Sequence, residues 1–253
     1  MISSSSHLVL IPSYNAGGNA VATARAALAQ WQPVWIVVDG STDGSDAELQ
    51  ALAQTESGLR VIALPRNQGK GAAVLHGIDL ALREGFTHAL TMDSDGQHPA
   101  NLIGRLMSES AQNPTAMILG KPVFDASAPA IRVNGRKLSN GWVHLQTLWA
   151  GIGDSLFGFR VYPIEPLIRV MRKSRFMRRF DFDPEAVVRL SWAGVPAVNV
   201  DSPVKYLSAA EGGVSHFKYV RDNALLSLMH GRLLLGFGAR LPWLLHRRLT
   251  GKR

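Results

Sequence analysis

The 253-residue sequence contains no cysteine. That removes disulfides and thiolate-held metals, so any cation must be bound by oxygen or imidazole, a ligand set that suits Mg2+ or Mn2+ rather than structural zinc. No apolar run approaches the roughly 18–20 residues that span a bilayer. The first seven residues are polar and serine-rich, and the apolar stretch after them, Leu8 to Ile11, is too short for a secretory signal core. The eight histidines show no H-E-x-x-H spacing. Repeats, low-complexity tracts and linkers are missing as well. These absences describe a chain expected to be soluble or peripheral: cytoplasmic, and on the cytoplasmic face of the inner membrane where it meets lipid.

Hydrophobic residues make up 46% of the chain and charged residues 18%, enough to bury one large core and too apolar for disorder. The formal charge of +8 and the pI near 10.2 favour polyanionic partners. Short apolar runs alternate with helical patterns through the first half. Strands are predicted at Leu8–Ile11, Val34–Val38, Leu59–Leu64 and His88–Met92. Helices are predicted at Asn19–Trp31, Ser45–Gln54, Gly71–Arg83 and Pro99–Ser110. Such alternation predicts parallel βαβ units, whose ligands bind beyond the carboxyl ends of the strands. The second half is less regular. Asn134–Gly141 and Gly151–Gly158 read as loops, Pro184–Trp192 as a helix and Val198–Val204 as a strand.

Three predicted strand ends carry polar sequences. Pro12-Ser13-Tyr14-Asn15 follows the first and Asp39-Gly40-Ser41-Thr42-Asp43-Gly44 the second. Asp93-Ser94-Asp95-Gly96-Gln97 follows the fourth. Alternate carboxylates leaving a strand can share a hard cation, and the amide oxygen of Gln97 can join Asp93 and Asp95 there. A cation so held offsets charge on a departing phosphate. The competing reading is a solvated turn and helix cap before Pro99; position at a strand end beside two other polar ends favours the cation. Asp39 is suited to accept a base N–H or ribose hydroxyl, with Gly40 letting backbone approach the ligand. Arg66-Asn67-Gln68-Gly69-Lys70-Gly71 leads into a helix, so Lys70 and backbone N–H groups could face phosphate. It is not a Walker loop, because no Ser or Thr follows Lys70, and the first strand does not run into G-x-G-x-x-G.

In order and spacing, Ile11-Pro12-Ser13-Tyr14-Asn15, Val38 to Ser45, Asn67-x-Gly69 and Met92 to Pro99 resemble family 2 glycosyltransferases of the GT-A fold. The dolichyl- or polyprenyl-phosphate sugar synthase branch is the nearest in look. Asp154-x-x-x-Gly158-Phe159-Arg160 and Phe180-Asp181-Phe182-Asp183 resemble later motifs of that branch. The resemblance covers residues 7 to 218. It implies an α/β, GT-A architecture with a Rossmann-like, mostly parallel central sheet flanked by helices. It also implies a nucleotide-sugar donor and Mn2+ or Mg2+ as cofactor.

Carried over residue by residue, Pro12, Tyr14, Asn15, Asp39, Gly40 and Lys70 belong to donor binding. Asp93, Asp95 and Gln97 hold the cation and diphosphate. Asp183 is an acid near the acceptor, fit to act as a base, and Arg160 orients that region or binds phosphate. Arg132, Arg136 and Asp154 are candidates for the acceptor side. Two departures stand out. Val38 occupies the place of the first of two acids common in the family, and Gly213-Val214-Ser215 lacks a preceding basic residue.

The implied catalytic domain is 1–218, followed by a tail over 219–253. Ile168 to Phe180 holds six Arg and Lys among apolar residues and predicts a cationic amphipathic helix. After Asp222 there is no acid to the end, and Ala224–Leu249 predicts an interfacial helix pair that meets an anionic membrane surface. The acceptor expected from this picture is lipid-linked or phosphorylated. Two other classes fit parts of the sequence: a sugar-phosphate nucleotidyltransferase, and a basic nucleic-acid-binding domain. The first usually carries a Gly- and Arg-rich loop where Pro12–Asn15 stand, and the second has no RNP, zinc-finger or helix-turn-helix pattern to support it.

Overall fold

The computed structural model describes residues 2–124, 130–204 and 219–250. In chain order the elements are β1 (Ile2–Ser3), β2 (His7–Ser13), α1 (Gly18–Leu28), β3 (Trp31–Gln32), β4 (Val34–Asp39), α2 (Ser45–Thr55), β5 (Leu59–Leu64), α3 (Lys70–Arg83) and β6 (His88–Thr91). After a short 3-10 turn (Ala100–Leu102) come α4 (Ile103–Gln112), β7 (Met117–Phe124), α5 (Ala130–Gln146), β8 (Arg160–Pro163), α6 (Ile164–Arg172), α7 (Phe182–Trp192), β9 (Ala197–Val204) and α8 (Tyr219–Leu249).

Seven strands form one sheet in the order β5-β4-β2-β6-β8-β7-β9, parallel except for β8. Its central strands are continuous apolar runs because both faces are covered. On β2, Leu8 and Leu10 pack on one face with Val74 and Ile78 of α3. Val9 and Ile11 pack on the other with Ala20 and Ala24 of α1. The alternation follows from the period of two in a strand. Because β8 is reversed, Arg160 at its start pairs with Thr91 at the end of β6. The approach to β8 and the exit from β6 therefore meet at the carboxyl edge of the sheet.

The first-half expectations agree with these elements to within a few residues. Three second-half expectations do not. Asn134–Gly141, expected as a loop, lies inside α5, where Ser139, Val143 and Gln146 are buried at helical spacing; tertiary burial overrides the weak propensity of its glycines and asparagines. The basic segment 168–180 is not one helix. Its first part is α6, which ends at Arg172, and Arg178 then folds back, its guanidinium donating to the carbonyls of Met171, Ser174 and Phe176. That cation satisfies carbonyls at a helix C-terminus. The third concerns the tail, which is one helix of 31 residues with Pro242 inside rather than a pair.

α8 packs on the body of the molecule through Met229, Leu233 and Leu244. Arg232 Nη2 donates to Glu185 Oε2 at 3.0 Å, and Arg247 donates to the carbonyls of Ser191 and Trp192. Its outward side keeps Leu228 at 63%, Leu235 at 80% and Leu249 at 86% exposure, and Leu138, Trp142 and Trp149 are exposed as well. The Gly213-Val214-Ser215 motif lies outside the described residues. No described helix is long and apolar enough to cross a membrane.

Candidate active site

Beyond the carboxyl ends of β2, β4 and β6 the surface opens into a cleft of about 640 Å3. Pro12 to Asn15 line it from β2, Asp39 from β4, and Gly69 and Lys70 from the start of α3. Asp93, Ser94, Asp95 and Gln97 follow from β6, and Asp183 from the first turn of α7. A shallower groove of about 410 Å3 near His76, Asp79 and Arg172 carries none of these residues.

The donor-side loops are tied together by their own polar groups. Asn15 accepts from the N–H of Thr42 at 2.7 Å, and Asp43 accepts from the N–H groups of Gly17 and Ser45. Asp39 is buried, and its two carboxylate oxygens accept the N–H groups of Gln68 and Gly69 at 2.8 and 2.7 Å. Those two N–H groups are therefore spent on Asp39 rather than turned to a phosphate, contrary to the expectation for this loop. Each Asp39 oxygen keeps a second lone pair for a ligand. Gly40 serves packing, with φ +67° and a Cβ position 2.4 Å from the Arg66 backbone. Its missing side chain admits the 66–67 backbone, not a ligand.

Asp93 and Asp95 leave β6 side by side. Burial first, then the negative charge of Asp93, pushes the Asp95 carboxyl up to about 6. Asp95 Oδ1 accepts the N–H of Gln97 at 3.0 Å. Against the cost of burial, the Lys70 ammonium holds the Asp93 carboxyl below the usual range. His98 is buried against Phe157 and Phe159, and burial pushes its pKa down to about 4, so the ring is neutral. Its Nδ1 accepts the N–H of Asp93 at 2.9 Å, which leaves the proton on Nε2, 3.7 Å from Asp93 Oδ2. The residues fit a divalent cation: two adjacent hard-oxygen ligands repel each other in a half-buried site, and a cation relieves that repulsion. Among the described residues no group of three or more His, Asp or Glu is arranged to hold a metal.

Lys70 joins this pair to Asp183. Its Nζ lies 2.6 Å from Asp93 Oδ1 and 2.6 Å from Asp183 Oδ2. Burial pushes the Asp183 carboxyl up, with Lys70 and Arg160 pulling against it. Asp183 Oδ1 and Ser13 Oγ are buried without a hydrogen-bond partner, and both residues line the cleft. They mark where a bound ligand would complete the polar set.

Arg160 does not reach the cleft. It is fully buried beneath α7, its Nη1 donating to Tyr162 Oη and the Asp183 carbonyl and its Nη2 to the Asp154 carbonyl. Its place is therefore beneath the Asp183 turn. Asp154 is also enclosed, accepting from Arg136, Asn140 and the N–H groups of Leu156 and Phe157. Arg136 and Asp154 thus pair with each other at 2.7 Å, away from the cleft lining. The side chain of Arg132 lies outside the described residues. Sequence reasoning missed Arg179, Phe180, Arg221 and Asp222, which do line the cleft. The first two sat in the basic run, and the others open α8, whose tail reading obscured them.

A family model described as Glycosyl transferase family 2 matches residues 8–170, more than half of the chain. A polyprenol monophosphomannose synthase of Mycolicibacterium smegmatis is 31% identical over 170 residues, 64% of this chain and 63% of that protein. A dolichyl-phosphate beta-glucosyltransferase of Trichomonas vaginalis is 26% identical over 166 residues, 62% of this chain and 49% of that protein. The matched region spans less than two thirds of the length of these curated relatives. Among solved structures, glucosyl-3-phosphoglycerate synthase of Mycobacterium tuberculosis with Mn2+, UDP-glucose and phosphoglyceric acid aligns with a TM-score of 0.60. The identity is 16%, over 92% of this chain and 79% of that one. S. aureus TarS 1–349 with UDP-GlcNAc aligns with a TM-score of 0.54 at 12% identity, over 88% of this chain and 66% of that one. At these identities the likeness is one of fold, and it agrees with the GT-A architecture read from the motifs. The curated relatives fit the polyprenyl-phosphate sugar synthase branch. By the family match across its first two thirds and the strand-end motifs that carry it, the chain belongs to glycosyl transferase family 2.

Proposed function

We propose that the chain transfers a sugar from a UDP- or GDP-sugar to a lipid-linked phosphate, with inversion at the anomeric carbon. The observation that carries this reading is the convergence of Asp93, Asp95 and Lys70 in the cleft that Asp39 and Tyr14 also line. An acceptor oxygen attacks the anomeric carbon from the face opposite the diphosphate. The bond from that carbon to the diphosphate oxygen breaks, and its electron pair stays on the diphosphate. Asp93, Asp95 and Gln97 would hold a divalent cation, which supplies charge neutralisation at that leaving oxygen. A phosphate acceptor is supported by the Asp183–Lys70 ion pair: a carboxylate neutralised by an ammonium is a poor base, and an ionised phosphate needs none. Relatives named for polyprenol and dolichyl phosphate point the same way.

The test is a thermal-shift panel of nucleotide sugars on the full chain with and without Mn2+, because a ligand of the folded state raises its apparent melting temperature. A UDP- or GDP-sugar should raise Tm by several degrees, roughly the effect of a ligand at a hundred times its Kd, and only with the metal. If no nucleotide sugar moves Tm, the reading fails.

The acceptor's lipid suits the exposed side chains Leu138 and Trp142 of α5 and Leu228 and Leu235 of α8, two helices that also carry Lys137 and Arg240. In this reading the protein is peripheral, with these side chains at the headgroup boundary of an anionic bilayer. Truncating α8 would strip the core residues Met229, Leu233 and Leu244, so surface variants are the better probe. Leu228→Ser with Leu235→Ser should reduce co-sedimentation with phosphatidylglycerol vesicles about tenfold. Equal sedimentation of variant and wild type would exclude this face.

A further inference from the structure

Lys70 is pressed into the carboxylates by the backbone around it. Gly69 and Gly71 flank it against the 177–178 backbone, where Cβ atoms would lie 2.4 Å from the Arg178 carbonyl oxygen and 2.2 Å from that of Met177. On the far side a Cβ at Gly158 would lie 2.6 Å from Lys70 Nζ. The Ala72 N–H donates to the Arg178 carbonyl, fixing the start of α3 on the same loop. The result is an ammonium 12% exposed, seated between Asp93 and Asp183. In that seat it occupies Asp93 Oδ1, one of the oxygens a metal would use. Its charge also opposes a second cation beside Asp95, most strongly where little water screens it.

Resting on the nucleotide-sugar reading above, we infer that Lys70 is a displaceable internal cation that keeps the Asp93–Asp95 pair from holding a divalent metal by itself. When metal and donor enter together, the ammonium moves from Asp93 to the donor diphosphate, and the carboxylate passes to the metal. Metal and nucleoside diphosphate accordingly bind as a coupled pair, each raising the other's affinity by the same factor.

The experiment is a titration of the full chain with Mn2+ alone, followed by electron paramagnetic resonance of free Mn2+, and then the same titration with UDP or GDP present. Lys70→Met keeps the length of the side chain and removes its charge. It should bind Mn2+ alone about tenfold more tightly than wild type, and the nucleoside diphosphate should add less to that affinity than it does in wild type. Asp183→Asn leaves the lysine with Asp93 as its remaining ionised partner in the triad, and should weaken Mn2+ binding below wild type. Each titration is read on protein whose far-UV circular dichroism matches wild type. Unchanged or weaker Mn2+ binding by Lys70→Met overturns the inference, as does unchanged or tighter binding by Asp183→Asn. If UDP and GDP both fail to tighten Mn2+ on wild type, the nucleotide-sugar reading fails. The comparison with Mn2+ alone still decides the lysine's role in that case.

Discussion

Replacing Asp93 and Asp95 together by alanine is expected to lower sugar transfer on the order of a thousandfold, the effect of losing several kcal/mol of stabilisation at the leaving diphosphate. Mn2+-dependent binding of nucleoside diphosphate should be lost with it. The ligand-free fold should not suffer, because Asp95 is raised by burial and by its neighbour's charge, a repulsion the double variant removes. Lys70 also keeps Asp183 as its partner. The measurement therefore pairs a nucleotide-binding titration in Mn2+ with a melting curve in its absence. Retained Mn2+-dependent binding would refute the cation assignment. A collapse of the ligand-free melting temperature would instead make these aspartates structural.

Arg160→Met should produce the largest loss of stability among these variants, about 1–3 kcal/mol, the usual cost of taking the partner from buried polar groups. The guanidinium is fully enclosed and satisfies Tyr162 Oη and the carbonyls of Asp183 and Asp154. Methionine fills similar volume but removes the buried donors to Tyr162 Oη and to the two carbonyls. Arg160→Lys restores the charge without the planar fork and should recover only part of the loss. Urea denaturation at neutral pH reads both variants. A midpoint for Arg160→Met within experimental error of wild type would show that the buried guanidinium contributes little to the fold.

What could be read from sequence follows from where the physics is local. A buried parallel strand that stops at Pro12, Asp39 or Asp93 announces its own end, so the donor-side loops and the paired aspartates were legible. The contact of Lys70 with Asp183 was not, because it joins residues 113 apart in the chain through packing of three glycines that look like ordinary loop residues. Arg160 was legible as a motif but not as a buried support; its charge suggested phosphate, and its four-residue strand gave no periodicity to place it. α5 was misread because Gly135, Asn140 and Gly141 are turn formers in isolation. In the fold Asn140 accepts from the N–H and hydroxyl of Ser155, so its side chain anchors the approach to the site. Arg221 and Asp222 were hidden by their place at the head of a helix whose remaining length advertises an apolar surface.

The reversal of β8 also bears on the order in which the chain becomes native. β2, β4 and β5 pair through single helical crossovers. The seam between β6 and β8, by contrast, joins Thr91 to Arg160, separated by about 70 residues. Loop closure costs more over that distance, so the N-terminal strands are expected to organise first and the central seam to zip later. The contact of Asp183 with Lys70, across 113 residues, is expected to form later still. A half-folded chain would thus possess its nucleotide-facing strand ends while lacking an assembled centre, which makes catalytic competence a late event in the maturation of the molecule.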